Sequence, residues 1–291
     1  MVLKTKSFHW ITPVGVVFLI SKYRDYERKG RKCEFEGFDE NSAIYHYLQR
    51  VDFFAILGID LIENFVRRES RGRFLPAHSI GRGHHVEVDQ LAELATDCIA
   101  PDLGDGEDDW DIPEHIRCLR YGLTELVNNV QQHSQGEGCI VVQYYPSFKS
   151  VTVAVADTGI GIRSSFTGAA FEDEDTMSHQ EALNEALVLG VSSKAGAQAW
   201  GESVNAGVGL TILASIAEVM KGEFCLISGD AMIHNTKKAN RQITLSDNFC
   251  GTLAAYRFDR NQLSDFALAL EEAKQFAGLQ DDSKLLARYF E

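Results

Sequence analysis

Long apolar runs are missing from this chain. No stretch of about 18 consecutive apolar residues occurs, so a membrane-spanning helix is not expected. Proline is scarce, five in 291 residues, which argues against long disordered linkers. Basic charge is also in deficit: 28 Lys and Arg stand against 42 Asp and Glu, a formal charge of −14. A broad surface for the phosphates of DNA or RNA is therefore not expected, and the runs Arg67–Arg68 and Arg71–Arg73 read as solvated loop. Paired cysteines are lacking too. Cys33, Cys98, Cys118, Cys139, Cys225 and Cys250 form no CxxC, which excludes an evident structural zinc motif and fits reduced thiols in a cytoplasmic protein. The basic, apolar start is broken by Pro13 and Gly15 and carries no small-residue cleavage site, so it reads as part of the fold and not as a signal peptide.

What is present is a chain 45% hydrophobic, enough for a full core. Residues 1–110 read as a small accessory α/β domain. Helices are expected over Val14–Arg28, Ser42–Val51 and Val88–Ala100, the last with Leu91, Leu94 and Ala95 inward. Short strands are expected over Lys32–Phe35 and Arg73–Ile80, and Phe53–Ile59 is too apolar to be exposed. His78, His84 and His85 fall in a glycine-rich stretch that reads as an exposed loop. The acidic segment Pro101–Asp111 marks the boundary; it lacks the ligand pattern and closing Glu of a calcium loop.

Residues 111–291 form the second expected domain. Tyr121–Ser134 has Leu123, Leu126, Val127 and Val130 at helical spacing, with Glu125 and Asn129 four apart and beside that apolar face. A carboxylate and an amide one turn apart can hold a hard cation and a water molecule. Strands over Cys139–Tyr145 and Val151–Ala156 follow, the second ending in Asp157-Thr158-Gly159-Ile160-Gly161. Ile162–Ala206 is long enough to be a lid, with a helix over Gln180–Leu189. Ala206-Gly207-Val208-Gly209-Leu210 opens a helix Leu210–Met220; strands over Phe224–Ser228 and Leu253–Phe258 and a helical tail Gln262–Tyr289 complete the chain.

Singly, these motifs are weak. Together and in this order, ELVNN, DTGIGI, AGVGL and the late Gly251-Thr252 resemble the GHKL superfamily of ATPases, over about Ile112–Asp259. That resemblance implies an α+β Bergerat-type sandwich, with ATP and Mg2+ as ligands. It implies that Asn129 coordinates the magnesium, that Asn128 lies beside the nucleotide, and that Glu125 orients or deprotonates the attacking water. It implies that Asp157 accepts from the adenine amino group and that Thr252 supports it. Gly159 and Gly161 would let the backbone pass under the purine. Gly207, Val208, Gly209 and Leu210 would present amides at a helix start to the phosphates, with Lys194 reaching in from the lid.

Several functions share these boxes. A sensor histidine kinase needs a phosphoacceptor histidine on a long helix, which Gly72, Pro76, Gly81 and Gly83 forbid here. Gyrase-type and MutL-type enzymes need transducer and DNA-binding parts. An anti-sigma-type serine protein kinase shares the ExxxN spacing, and the α/β rhythm of residues 1–110, with its helix, short strand and the segment Tyr45–Phe54, looks loosely like a STAS domain. The favoured expectation is a cytoplasmic ATPase whose lid closure controls a protein partner, with no nucleic acid or membrane bound and homodimer formation allowed. The alternatives are the serine kinase and a nucleotide sensor without turnover.

Overall fold

The computed structural model describes residues 2–4, 10–37, 39–67, 69–81, 85–101, 113–134, 136–170, 177–188, 210, 213–214, 217–218, 220–265, 267–268 and 271. The fold is α+β. Strands β1 (Val2–Lys4) and β2 (Glu34–Glu36) make a short parallel pair. Strands β3 (Phe74–Ile80), β4 (Gly138–Tyr145), β5 (Ser150–Asp157), β6 (Glu223–Asn235) and β7 (Asn240–Asp259) form an antiparallel sheet in the order β3-β4-β5-β7-β6. With them go the helices α1 (Pro13–Arg28), α2 (Ala43–Arg50), α3 (His85–Ile99), α4 (Glu114–His133), α5 (Gly161–Ala170) and α6 (His179–Ala186). Among the described residues no helix is long and apolar enough to cross a membrane.

Local chemistry sets the helix ends. The Thr12 hydroxyl accepts from the Gly15 N–H and Pro13 starts α1, a position that needs no backbone donor. Ser42 caps α2 through the Tyr45 N–H, and Ser178 with Glu181 closes a capping box on α6.

The sheet is covered on both faces, and its strands alternate accordingly. Val151, Val153 and Val155 of β5, with Ile140 and Val142 of β4, face the core shared with α3, α4, α5 and α6. Ala154 and Ala156, with Cys139, Val141 and Ala255, face the core shared with α1 and α2. The small side chains lie under α1, where Val16, Val17 and Ile20 pack closely on them.

The sheet runs across the expected division at residue 110. Strand β3 hydrogen-bonds to β4, and Leu75, Ile80 and Val88 share a core with Leu123 and Val153. The described part of residues 1–110 is thus built onto the sheet and does not enclose a core of its own. The Pro101–Asp111 stretch lies, but for Pro101, outside the described residues. Three smaller corrections follow. Leu94 is 44% exposed, because α3 buries the stripe through Leu91, Ala92 and Ala95. His78 is half-buried on β3 with Nδ1 2.9 Å from the Pro76 carbonyl, His85 begins α3, and His84 is not described. Strands β6 and β7 run well beyond the expected apolar pieces, as a polar hairpin closed by the Thr236 N–H on the Ala239 carbonyl.

The described part of the expected lid is also core. Ile162 and Phe166 of α5 and Ala182, Leu183 and Ala186 of α6 are buried against the sheet. Residues 189–209 lie outside the described residues. Of the expected helical tail, Arg260–Asp265 is a 3-10 turn with Leu263 buried, and only residues 267–268 and 271 are described beyond it.

A chain starting at residue 111 tests the shared core. It would leave Cys139, Val141, Ala154, Ala156 and Ala255 uncovered, and its thermal melt followed by circular dichroism is expected to lose cooperativity. A sharp transition in that fragment would support the two-domain division.

Candidate functional site

The end of β5 is where the sequence motifs and the backbone converge. Asp157 is 4% exposed, and its Oδ1 accepts from the Gly159 N–H at 2.7 Å. Strand pairing of Ala156 with Leu253 sets Asp157 beside Thr252, whose backbone N–H also serves the carboxyl. The loop is then tied down on each side. Thr158 N–H donates to the Glu137 carbonyl at 2.9 Å and Ile160 N–H to the Ser134 carbonyl at 2.7 Å. Ile162 N–H donates to Ser228 Oγ at 3.0 Å, and that hydroxyl donates to the Gly251 carbonyl at 2.8 Å.

These ties explain the glycines from within the chain. A Cβ at Gly159 would overlap the Ser134 carbonyl, and one at Gly251, which has φ +89°, would overlap the backbone of Asp157. Gly161, with φ +77°, faces Ser228 Oγ. The expectation that Gly159 and Gly161 make room for a ligand is thereby widened: both are already required by the protein's own backbone.

Burial pushes the Asp157 carboxyl up to about 7, only partly offset by the Gly159 and Thr252 N–H groups. Near neutral pH it is therefore balanced between acid and carboxylate. A neutral carboxyl both donates and accepts, whereas a carboxylate only accepts.

Helix α4 brings its C-terminal end, Ser134, against Gly159. Asn129 lies five residues before Ser134, about 7.5 Å along the axis. Asn129 is half-buried, and its Nδ2 is buried with no hydrogen-bond partner among the described residues. An orphaned buried amide of this kind marks a position where a ligand can complete the bonding. Asn128 is half-buried too. Glu125 departs from expectation: it is 2% exposed, buried as deeply as the apolar residues it was expected to stand beside. The geometry thus brings Asp157, Gly159, Gly161, Gly251 and Thr252 together, with the Asn129 end of α4 adjoining.

Other expected residues are not in that group. Lys194, Gly207, Val208 and Gly209 lie outside the described residues. Leu210 is helical and packs on the core. Among the described residues no three His, Cys, Asp or Glu side chains gather to hold a metal ion. A cleft of about 550 Å3 lies elsewhere, between Lys221 and the hairpin tip Lys237–Lys238, and includes none of the expected site residues.

Sequence reasoning missed Ser134 and Ser228, whose buried hydroxyls and carbonyls fix the loop. Ser228 stands in an ordinary strand run, and only its polarity between Ile227 and Gly229 singles it out.

Asp157 makes stability depend on pH. Its contribution is fullest below its ordinary value of 3.8 and is lost as pH rises through about 7, up to about 4 kcal/mol in all. Asp157→Asn is expected to remove this slope; denaturant midpoints for the two proteins at about pH 4.5 and 7.5 measure it, and parallel profiles would refute the raised value.

No known family model matches the chain, and no curated protein matches it.

Proposed function

We propose that this protein binds ATP in the manner of the GHKL ATPases, with nucleotide binding coupled to a protein partner. The observation that carries the reading is Asp157, a buried carboxyl at a strand end within a loop fixed by glycine contacts on both sides. In its carboxylate form such a group accepts from the amino group of adenine and disfavours a carbonyl there. The orphaned Nδ2 of Asn129 supports a polar ligand near α4, and the amide oxygen of the same side chain suits a magnesium ion shared with phosphates. Magnesium, when bound, supplies neutralisation of phosphate charge. Asn128 stands next to Asn129, and the amides of Gly207, Val208, Gly209 and Leu210, with Lys194, are assigned to the phosphates by motif alone. Glu125 is assigned to orient or deprotonate a water, which makes the protein an ATP hydrolase.

The burial of Glu125 favours a second reading. A side chain that is 2% exposed and already engaged with another group has restricted access to water. On that reading the protein is a nucleotide sensor that binds without turnover.

Calorimetry with a non-hydrolysable ATP analogue and magnesium tests binding, and phosphate release tests turnover. Asp157→Asn is expected to weaken binding by at least about tenfold, the scale of one charge-assisted hydrogen bond. Glu125→Ala is expected to keep binding and to slow phosphate release by about a hundredfold, the lower range for a general base. Equal release rates would remove Glu125 from catalysis, release from neither protein would leave the sensor, and an unchanged dissociation constant for Asp157→Asn would remove the site.

A further inference from the structure

The last turn of α1 lies on the sheet face away from α4, yet it reaches the same loop. Arg28 donates from Nη1 to the Thr158 carbonyl at 2.7 Å and from Nη2 to the Cys250 sulfur at 3.1 Å. Thr158 directly follows Asp157, and Cys250 directly precedes Gly251, the glycine packed on the Asp157 backbone. The Cys250 sulfur itself lies 3.7 Å from the Gly159 carbonyl. The helix end of this clamp is anchored by Asp25, buried like the loop, which accepts from Lys29 at 2.7 Å and from Arg28 at 3.4 Å. One turn earlier, Arg24 donates to the Gly138 carbonyl at 3.2 Å, which registers the helix on β4 as well.

The covalent geometry of one peptide group gives these contacts their meaning. The Thr158 carbonyl and the Gly159 N–H belong to the same planar unit and point in opposite directions. Arg28 holds the carbonyl; the N–H donates to Asp157 Oδ1. The peptide plane is therefore suspended between a guanidinium on one side and the Asp157 carboxyl on the other. A cation on the carbonyl also polarises the amide and strengthens its N–H as a donor. The guanidinium fork serves Thr158 and Cys250 from two separate nitrogens held in one plane, a geometry that a lysine ammonium, a single point of charge, reproduces only in part.

We infer that Arg28 is a positioning residue of the nucleotide site, setting the direction of the Asp157 carboxyl through the Thr158–Gly159 peptide. The inference rests on the nucleotide reading above, and it assigns to α1 a part in a site that the motifs place wholly beyond residue 111. Arg28 is about half exposed at its side chain, 52%, so its replacement leaves the core intact.

The test uses the full chain with Arg28→Ala and Arg28→Lys. Lys22→Ala is the control, because Lys22 makes comparable bonds from the same helix to Asp247 and the Asn248 carbonyl without touching the loop. The dissociation constant of a non-hydrolysable ATP analogue with magnesium is measured by calorimetry, and hydrogen exchange of the peptide spanning 157–162 is measured without nucleotide. Arg28→Ala is expected to weaken binding by about tenfold and to speed exchange in that peptide, Arg28→Lys to recover part of both, and Lys22→Ala to change neither. Unchanged affinity in Arg28→Ala, or an equal loss in Lys22→Ala, overturns the inference. If the wild type binds no analogue, the nucleotide reading fails on its own account. The clamp is then judged by exchange alone, and unaltered exchange in Arg28→Ala overturns it too.

Discussion

Strand β5 is buried along its whole length on both faces, and the rest of the molecule is arranged to satisfy that burial. A strand without a solvent face needs a helical layer on each side, so α1 and α2 are as necessary to it as α4. The residues divide by size: valines point toward α3 and α4, alanines toward α1. The same condition determines the chemistry at the strand's end. Asp157 continues the buried run, so its carboxyl leaves water and its ionisation is opposed.

The loop after β5 shows how little freedom remains there. Ser134, Glu137, Ser228, Gly251 and Arg28 each hold one backbone group of residues 157–162 or a neighbour of it. These contacts come from α1, α4, β6, β7 and the turn before β4, so the loop's shape is a property of the assembled sheet. A ligand at Asp157 would meet a surface formed in advance, which would lower the ordering cost of binding.

Much of this was legible in the sequence because periodicity is local. Helices α1 and α2 and strands β3, β4 and β5 announce themselves through apolar spacing and caps, and DTGIGI through its glycines. What was not legible is pairing over distance. Nothing in Phe74–Ile80 states that it joins Gly138–Tyr145 and not a sheet of its own, so the expected domain boundary was placed where composition changes. Glu125 misled because a carboxylate at helical spacing reads as surface, while the fold encloses it. Beyond its apolar pieces the β6–β7 hairpin is mostly polar, and its short alternations, Ala231 with Ile233 and Ile243 with Leu245, are too brief to announce strands of that length. Arg28 could not be found from spacing at all, since its acceptors are 130 and 222 residues away.

Those separations have a consequence for how the chain acquires its structure. Helix α1 is synthesised early, but strand β7, which it covers and to which Lys22 and Arg28 are tied, is synthesised late. Until β7 emerges, the apolar stripe of Val16, Val17 and Ile20 has no finished surface to lie on. Folding is therefore governed by closure of long loops, a slow and non-local process that keeps a sticky helix waiting. Helix α1 thus waits for strand β7, whose Cys250 follows Arg28 by 222 residues.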